Sequence, residues 1–126
     1  MRILGHGIDT VEIGRFERLF QEGRDKHLSR YFTERELEAV ERDEGVYDRL
    51  AARFAAKEAV MKALQHGFGD GVAFTDIEIE IGSSGAPMPV LKGKVQNVAR
   101  ETGVKEWWIS ITHSGGMAVA SAIACG

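Results

Sequence analysis

The stretch Arg53-Phe54-Ala55-Ala56-Lys57-Glu58-Ala59-Val60-Met61-Lys62-Ala63-Leu64 sets an acid and two bases into an otherwise apolar helix. At about 3.6 residues per turn, Glu58 and Lys62 stand one turn apart on the same side, flanked by the small side chains of Ala51 and Ala55. Such a pair on a solvated helix is ordinary and contributes only about 0.3 kcal/mol. Here, however, Lys57 projects close to the apolar sector of Leu50, Phe54, Met61 and Leu64 instead of a polar face. A carboxylate and an ammonium beside a gap suit a metal-bound phosphate. The helix that carries them is predicted to begin near Val46 and run to about Gln65.

The chain opens as a short apolar strand through Gly5-His6-Gly7-Ile8-Asp9. Alternation puts Gly5, Gly7 and Asp9 on one face and Leu4, His6 and Ile8 on the other, so the Asp9 face has almost no side-chain bulk near it. Another group can approach that backbone closely. Asp9 also reads as a turn former or as the cap of a helix predicted over 11–22. That helix keeps Phe16, Leu19 and Phe20 inside and leaves Arg15 and Arg18 at the surface. With Arg24, Lys26, His27 and Arg30 they make a local basic patch, which serves either as a solvated face or as a dock for an acidic partner.

A third island, Trp107-Trp108-Ile109-Ser110-Ile111-Thr112-His113-Ser114-Gly115-Gly116, reads as a strand ending in a hairpin turn, with a further strand from Met117 to Ala124. His113 and Ser114 offer donors to a phosphate. Adjacent strand residues face opposite ways, so at least one of Trp107 and Trp108 belongs to the core while the other can mark an intersubunit surface.

Between the islands, residues 33–45 read as a capped, highly charged scaffold helix ending at Gly45. A glycine-rich turn over 66–71 follows the central helix, which is the wrong end for anion binding by a helix dipole. Residues 73–81 alternate as a strand with Phe74, Asp76, Glu78 and Glu80 on one face and Thr75, Ile77, Ile79 and Ile81 on the other, one face packed and the other facing water. A loop over 82–89 leads to a helix over 90–102. The order implies an α+β fold, a single domain over 1–126 with a mainly antiparallel sheet packed against a long helix.

Composition sets the remaining bounds. The 126 residues are 44% hydrophobic, enough for one core but marginal for two. The single Cys125 cannot form an internal disulfide and fits a reducing cytoplasm. No run approaches the ~20 apolar residues of a membrane span. With 19 acids against 16 Lys and Arg there is no broad electrostatic footprint for nucleic acid.

Together GIDTVEIGRF at 7–16, RFAAKEAVMKAL at 53–64 and SITHSGGMAVA at 110–120 resemble the holo-acyl-carrier-protein synthase family, the small bacterial branch of the 4'-phosphopantetheinyl transferases. GVAFTDIEI at 71–79 and Gly85-Ala86-Pro87 extend the resemblance over nearly the whole chain. Ser114 stands where Thr is common in the family. The resemblance implies transfer of the phosphopantetheine arm of coenzyme A to a serine hydroxyl of apo acyl carrier protein, with release of adenosine 3',5'-bisphosphate and a role in fatty acid biosynthesis. It implies Mg²⁺ on Asp9 and Glu58, and Lys62 on the pyrophosphate and the departing bisphosphate. It also implies coenzyme contacts from Arg53, His113 and Ser114, acyl carrier protein on Arg15 and Arg18, and a cytoplasmic homotrimer with sites between protomers. Either Glu58 or a metal-bound water takes the serine proton. Two rival classes stay open: another Mg²⁺-dependent phosphoryl or nucleotidyl enzyme, and a non-catalytic module binding an acidic partner. The pairing of Asp9 with Glu58 requires the first strand to lie beside the long helix.

Overall fold

The computed structural model describes residues 1–21 and 27–126. Strand β1 (Ile3–Glu12) leads into α1 (Ile13–Gln21), a short 3-10 turn (Leu28–Arg30), α2 (Glu34–Ala39) and the long α3 (Val46–Ala63). A second 3-10 turn (Phe74–Asp76) precedes β2 (Ile77–Ile81), β3 (Pro87–Leu91), α4 (Gly93–Thr102), β4 (Glu106–Ser114) and β5 (Met117–Cys125). All pairing is antiparallel, in one sheet of order β1-β5-β4 and a second formed by β2 and β3. The α+β expectation holds.

Helix α3 is the centre of the core. Between residues 50 and 64 every side chain is buried except Phe54, Glu58 and Lys62, which recur at one-turn spacing. A helix enclosed around almost its whole circumference must be wrapped by other elements. The three-stranded sheet covers one side, while α1 and β2 contact others. The sheet comes close because side chains have been removed from it. A Cβ added at Gly5 would lie 1.9 Å from the Ala63 carbonyl oxygen, and one at Gly7 would lie 2.0 Å from that of Ala59. Beside them in register, Ala118, Ala120, Ala122 and Ala124 of β5 are all buried. The bare Asp9 face was legible from strand alternation, and the group that approaches it is α3.

The opposite face of the sheet is uncovered in the single chain. Trp107 joins the core, whereas Trp108 is 56% exposed and Ile8 54% exposed. One tryptophan of the pair is therefore core, as alternation demanded.

Several boundaries differ from the sequence reading. β1 continues to Glu12, so α1 begins at Ile13, and Asp9 sits in mid-strand opposite Ala120 instead of capping a helix. That shift turns Ile13, Phe16 and Phe20 inward and leaves Leu19 52% exposed. The scaffold helix stops at Ala39 because Val40 turns extended and is buried, well before Gly45. Glu78 does not face water: it is 2% exposed, with Thr33 Oγ1 donating to its Oε1 at 2.6 Å. Residues 87–91 form a strand despite Pro87 and Pro89, which an edge strand tolerates, so the following helix starts at Gly93. The part of the basic patch at Arg24 and Lys26 lies outside the described residues.

Gly7→Ala tests the close contact. Backbone blocks the added methyl, so the variant is expected to lose about 3 kcal/mol or more of stability in denaturant unfolding. A loss within experimental error would show that β1 can move off α3 at no cost.

Candidate active site

The open strip of α3 forms one wall of a cleft of about 520 Å³. Asp9 to Glu12 of β1 line another, Arg15, Phe16, Leu19 and Phe20 of α1 a third, and Tyr31 also contributes. Because β1 lies against α3, residues distant in sequence meet here. Lys62 Nζ lies 3.0 Å from Asp9 Oδ1 and donates to the Ile8 carbonyl at 2.9 Å. Glu58 stands beside them, and its carboxyl is raised above its ordinary 4.5, first by burial and then by the negative charge of Asp9, with Lys62 opposing.

Two carboxylates beside a single ammonium form a hard, oxygen-rich donor pair. Among the described residues no group of three or more His, Cys, Asp or Glu side chains assembles. A pair with a neighbouring phosphate suits Mg²⁺, which keeps water and substrate oxygens in the rest of its shell. The residues present therefore fit a divalent cation that carries a phosphate ligand.

The sequence-derived set does not converge completely. Asp9, Glu58, Lys62 and Arg15 share the cleft. Arg18 is exposed on α1 outside that lining, with Nη1 near Gly14. Arg53 lines a separate cleft of about 450 Å³ with Arg35, Glu36 and Glu78. It is 8% exposed, burial lowers its pKa against the opposing pull of Glu36, and its Nε has no hydrogen-bond partner. His113 is at the end of β4, its Nδ1 3.8 Å from Asp48 Oδ2 in the first turn of α3. Ser114, also exposed, ends that strand before a turn in which Gly115 and Gly116 both have positive φ. Neither His113 nor Ser114 lines the Asp9 cleft.

Sequence reading missed the aromatic part of the cleft, although Phe54 stands one turn before Glu58. It also flagged Lys57 without its partner. Lys57 is fully buried, and Nζ donates to Glu36 Oε1 at 2.6 Å, the Tyr31 carbonyl at 2.7 Å and the Phe74 carbonyl at 3.1 Å. Glu36 lies in the stretch read as a capped, charged scaffold helix. It does cap α2 with Thr33, and it is also the counter-ion of the core.

A carboxylate pair and a lysine at a strand–helix contact have the make-up of a site for phosphoryl-type transfer. A profile of the 4'-phosphopantetheinyl transferase superfamily matches residues 5–120. The holo-[acyl-carrier-protein] synthase of Trichlorobacter lovleyi is 42% identical over 121 residues, 96% of either chain. The crystal structure of the Neisseria meningitidis synthase superimposes with TM-score 0.87 at 28% identity, covering 98% of this chain and 99% of that one. The Helicobacter pylori synthase in complex with coenzyme A gives TM-score 0.81 at 31% identity, covering 95% and 99%. The chain belongs to the 4'-phosphopantetheinyl transferase superfamily and is an enzyme of its holo-[acyl-carrier-protein] synthase branch.

The raised Glu58 carboxyl has a consequence for stability. A group whose pKa is higher in the folded state contributes stability below its unfolded value of 4.5, and that contribution is lost as pH rises through the folded value. In chelator-treated buffer at neutral pH, Glu58→Gln is therefore expected to melt above the unsubstituted protein. The gap should close as pH falls to about 4.5. Coincident melting curves at neutral and acid pH would refute the charge conflict.

Proposed function

We propose that the chain transfers the 4'-phosphopantetheine group of coenzyme A to a serine hydroxyl of an apo acyl carrier protein and releases adenosine 3',5'-bisphosphate. The observation that carries this reading is the meeting of Asp9, Glu58 and Lys62 in one cleft, in a chain whose relatives are holo-[acyl-carrier-protein] synthases. Asp9 and Glu58 are the residues that would hold Mg²⁺, which when bound neutralises the charge of the pyrophosphate.

The chain's own groups account for the remaining requirements. Glu58, or a water beside it, accepts the serine proton as the hydroxyl oxygen attacks the phosphorus that bears the pantetheine arm. The bond from that phosphorus to the bridging oxygen breaks, and the bridging oxygen leaves with the bisphosphate. Lys62 uses two N–H groups on Ile8 and Asp9, and the third meets no acceptor among the described residues, which leaves it for the oxygen where charge develops. Arg15, exposed on the rim, presents a cation to the acidic carrier protein, with Arg18 beyond it on the same helix.

Arg53, His113 and Ser114 complete a coenzyme site between protomers of a homotrimer, in a single catalytic domain over 1–126 acting in the cytoplasm. Two features favour assembly: these groups lie off the acid cleft of their own chain, and the outer sheet face exposes Ile8, Trp108 and Met117. No described helix is long and apolar enough to cross a membrane.

The test is the intact mass of an apo acyl carrier protein after incubation with enzyme, coenzyme A and Mg²⁺. One added phosphopantetheine group is expected, with none when Glu58→Ala replaces the enzyme. Lys62→Ala should weaken coenzyme binding and lose roughly 10²–10³-fold in kcat. A folded enzyme that binds coenzyme A and modifies no carrier protein would overturn the reading in favour of a small-molecule phosphoryl enzyme. Trp108→Glu is expected to reduce the mass in solution from trimer to monomer by light scattering, with loss of transfer. An unchanged trimer would remove the sheet face from the assembly.

A further inference from the structure

The proposed chemistry makes no use of the fully buried Lys57, yet this residue directly precedes Glu58 on α3. Its three donors are spent on three different segments. One N–H goes to the Tyr31 carbonyl, after the turn Leu28–Arg30; one to the Phe74 carbonyl, in the turn before β2; and one to Glu36 on α2. Glu36 is in turn fully engaged, accepting from Lys57, Thr33 N and, at 3.0 Å, Ile79 N. The ammonium therefore ties α2, β2 and both turns to the helix that carries the cleft acid.

The two carbonyls belong to residues whose rings pack beside the cleft. Tyr31 lines it, as does Phe54, and their centroids are 6.0 Å apart. Phe74 lies behind them, 5.1 Å from Tyr31 and stacked on Phe54 at 5.0 Å. Backbone position at residues 31 and 74 sets where these rings stand, and a single cation fixes both. The groups facing that cation are Glu36, with Glu78 and Lys92 close enough to act on it electrostatically, and the Phe32 ring at 5.2 Å. Burial lowers the Lys57 pKa while Glu36 pulls it up.

We infer that Lys57 is a positioning residue for the transfer, acting from inside the core through the Tyr31 and Phe74 backbones to hold the aromatic wall of the cleft that Glu58 also lines. This assignment rests on the transferase reading. It concerns alignment of the reacting groups, not coenzyme affinity, because Lys57 reaches no part of the cleft. A displaced wall should therefore lower kcat with little change in the KM for coenzyme A.

The test compares Lys57→Met with the double variant Lys57→Met/Glu36→Gln. The single change strands a buried carboxylate and can prevent folding. The double change leaves a neutral pair of similar shape, in which the single Gln carbonyl oxygen keeps one of the two backbone N–H donors, Thr33 or Ile79, that the two carboxylate oxygens of Glu36 accept. In the folded double variant, kcat is expected to fall about tenfold or more while the KM for coenzyme A stays within about twofold. Amide exchange at Tyr31 and Phe32 should accelerate. An unchanged kcat below the melting temperature, or unaltered exchange, overturns the assignment and leaves Lys57 a structural ion. A double variant that does not fold also counts against it, since the pair would then be needed for the fold itself. Transfer by the unsubstituted enzyme, measured alongside, separates failure of this inference from failure of the transferase reading.

Discussion

The structure depends on how closely β1 can lie against α3. Two glycines on the strand and a row of alanines on its neighbour β5 bring the sheet within backbone contact of the helix, at Ala59 and Ala63. Two consequences follow from that distance. Dense small-residue packing removes the helix from water on the sheet side, and Asp9, two positions beyond Gly7, arrives within salt-bridge distance of Lys62. The packing constraint and the site are thus the same contact seen from two ends. Larger residues at the glycine positions would push β1 off α3 and so move Asp9 away from Glu58 and Lys62.

Enclosing α3 leaves the helix with two kinds of charge. Lys57 faces inward and is held by Glu36 and two carbonyls, which replace the hydration it has lost. Glu58, the next residue, turns about 100° away and meets the cleft. There its carboxyl is held up by partial burial and by Asp9. The inward pair is balanced and fixed, whereas the two outward acids share the single ammonium of Lys62. A balanced ion pair suits positioning, and an unbalanced one suits binding.

Much of this was legible in the sequence, and the exceptions have physical reasons. Alternation in β1 placed Gly5, Gly7 and Asp9 on one face correctly, and helical spacing placed Glu58 with Lys62. The fold class followed from element order. Boundaries went wrong where tertiary packing overrode local signals: Val40 leaves its helix to enter the core, and two prolines disguised β3. Glu78 looked solvated by alternation, but α2 folds over that face and supplies Thr33 as its donor. Lys57 stood out because it lies on an apolar sector, while its partner Glu36 did not, because it sits among the many charges of a helix read as solvated scaffold. No periodicity rule reports that one carboxylate is used twice. Nor does spacing reveal which cleft a helical residue lines.

That last point bears on how the site is divided. Arg53 and Glu58 are five positions apart, a rotation of about 140° around the helix. With α3 enclosed, the two side chains emerge into different clefts, Arg53 beside Glu36 and Glu78, and Glu58 beside Asp9. His113 is tied to neither, at the far end of β4 near Asp48. One protomer cannot present all three to a compact ligand through the body of its own central helix. In the proposed assembly a coenzyme that uses them together bridges chains, and the sheet face that exposes Ile8 and Trp108 would offer a second chain apolar surface. The proposed trimer and the proposed coenzyme site therefore depend on one another, and both trace back to the burial of α3.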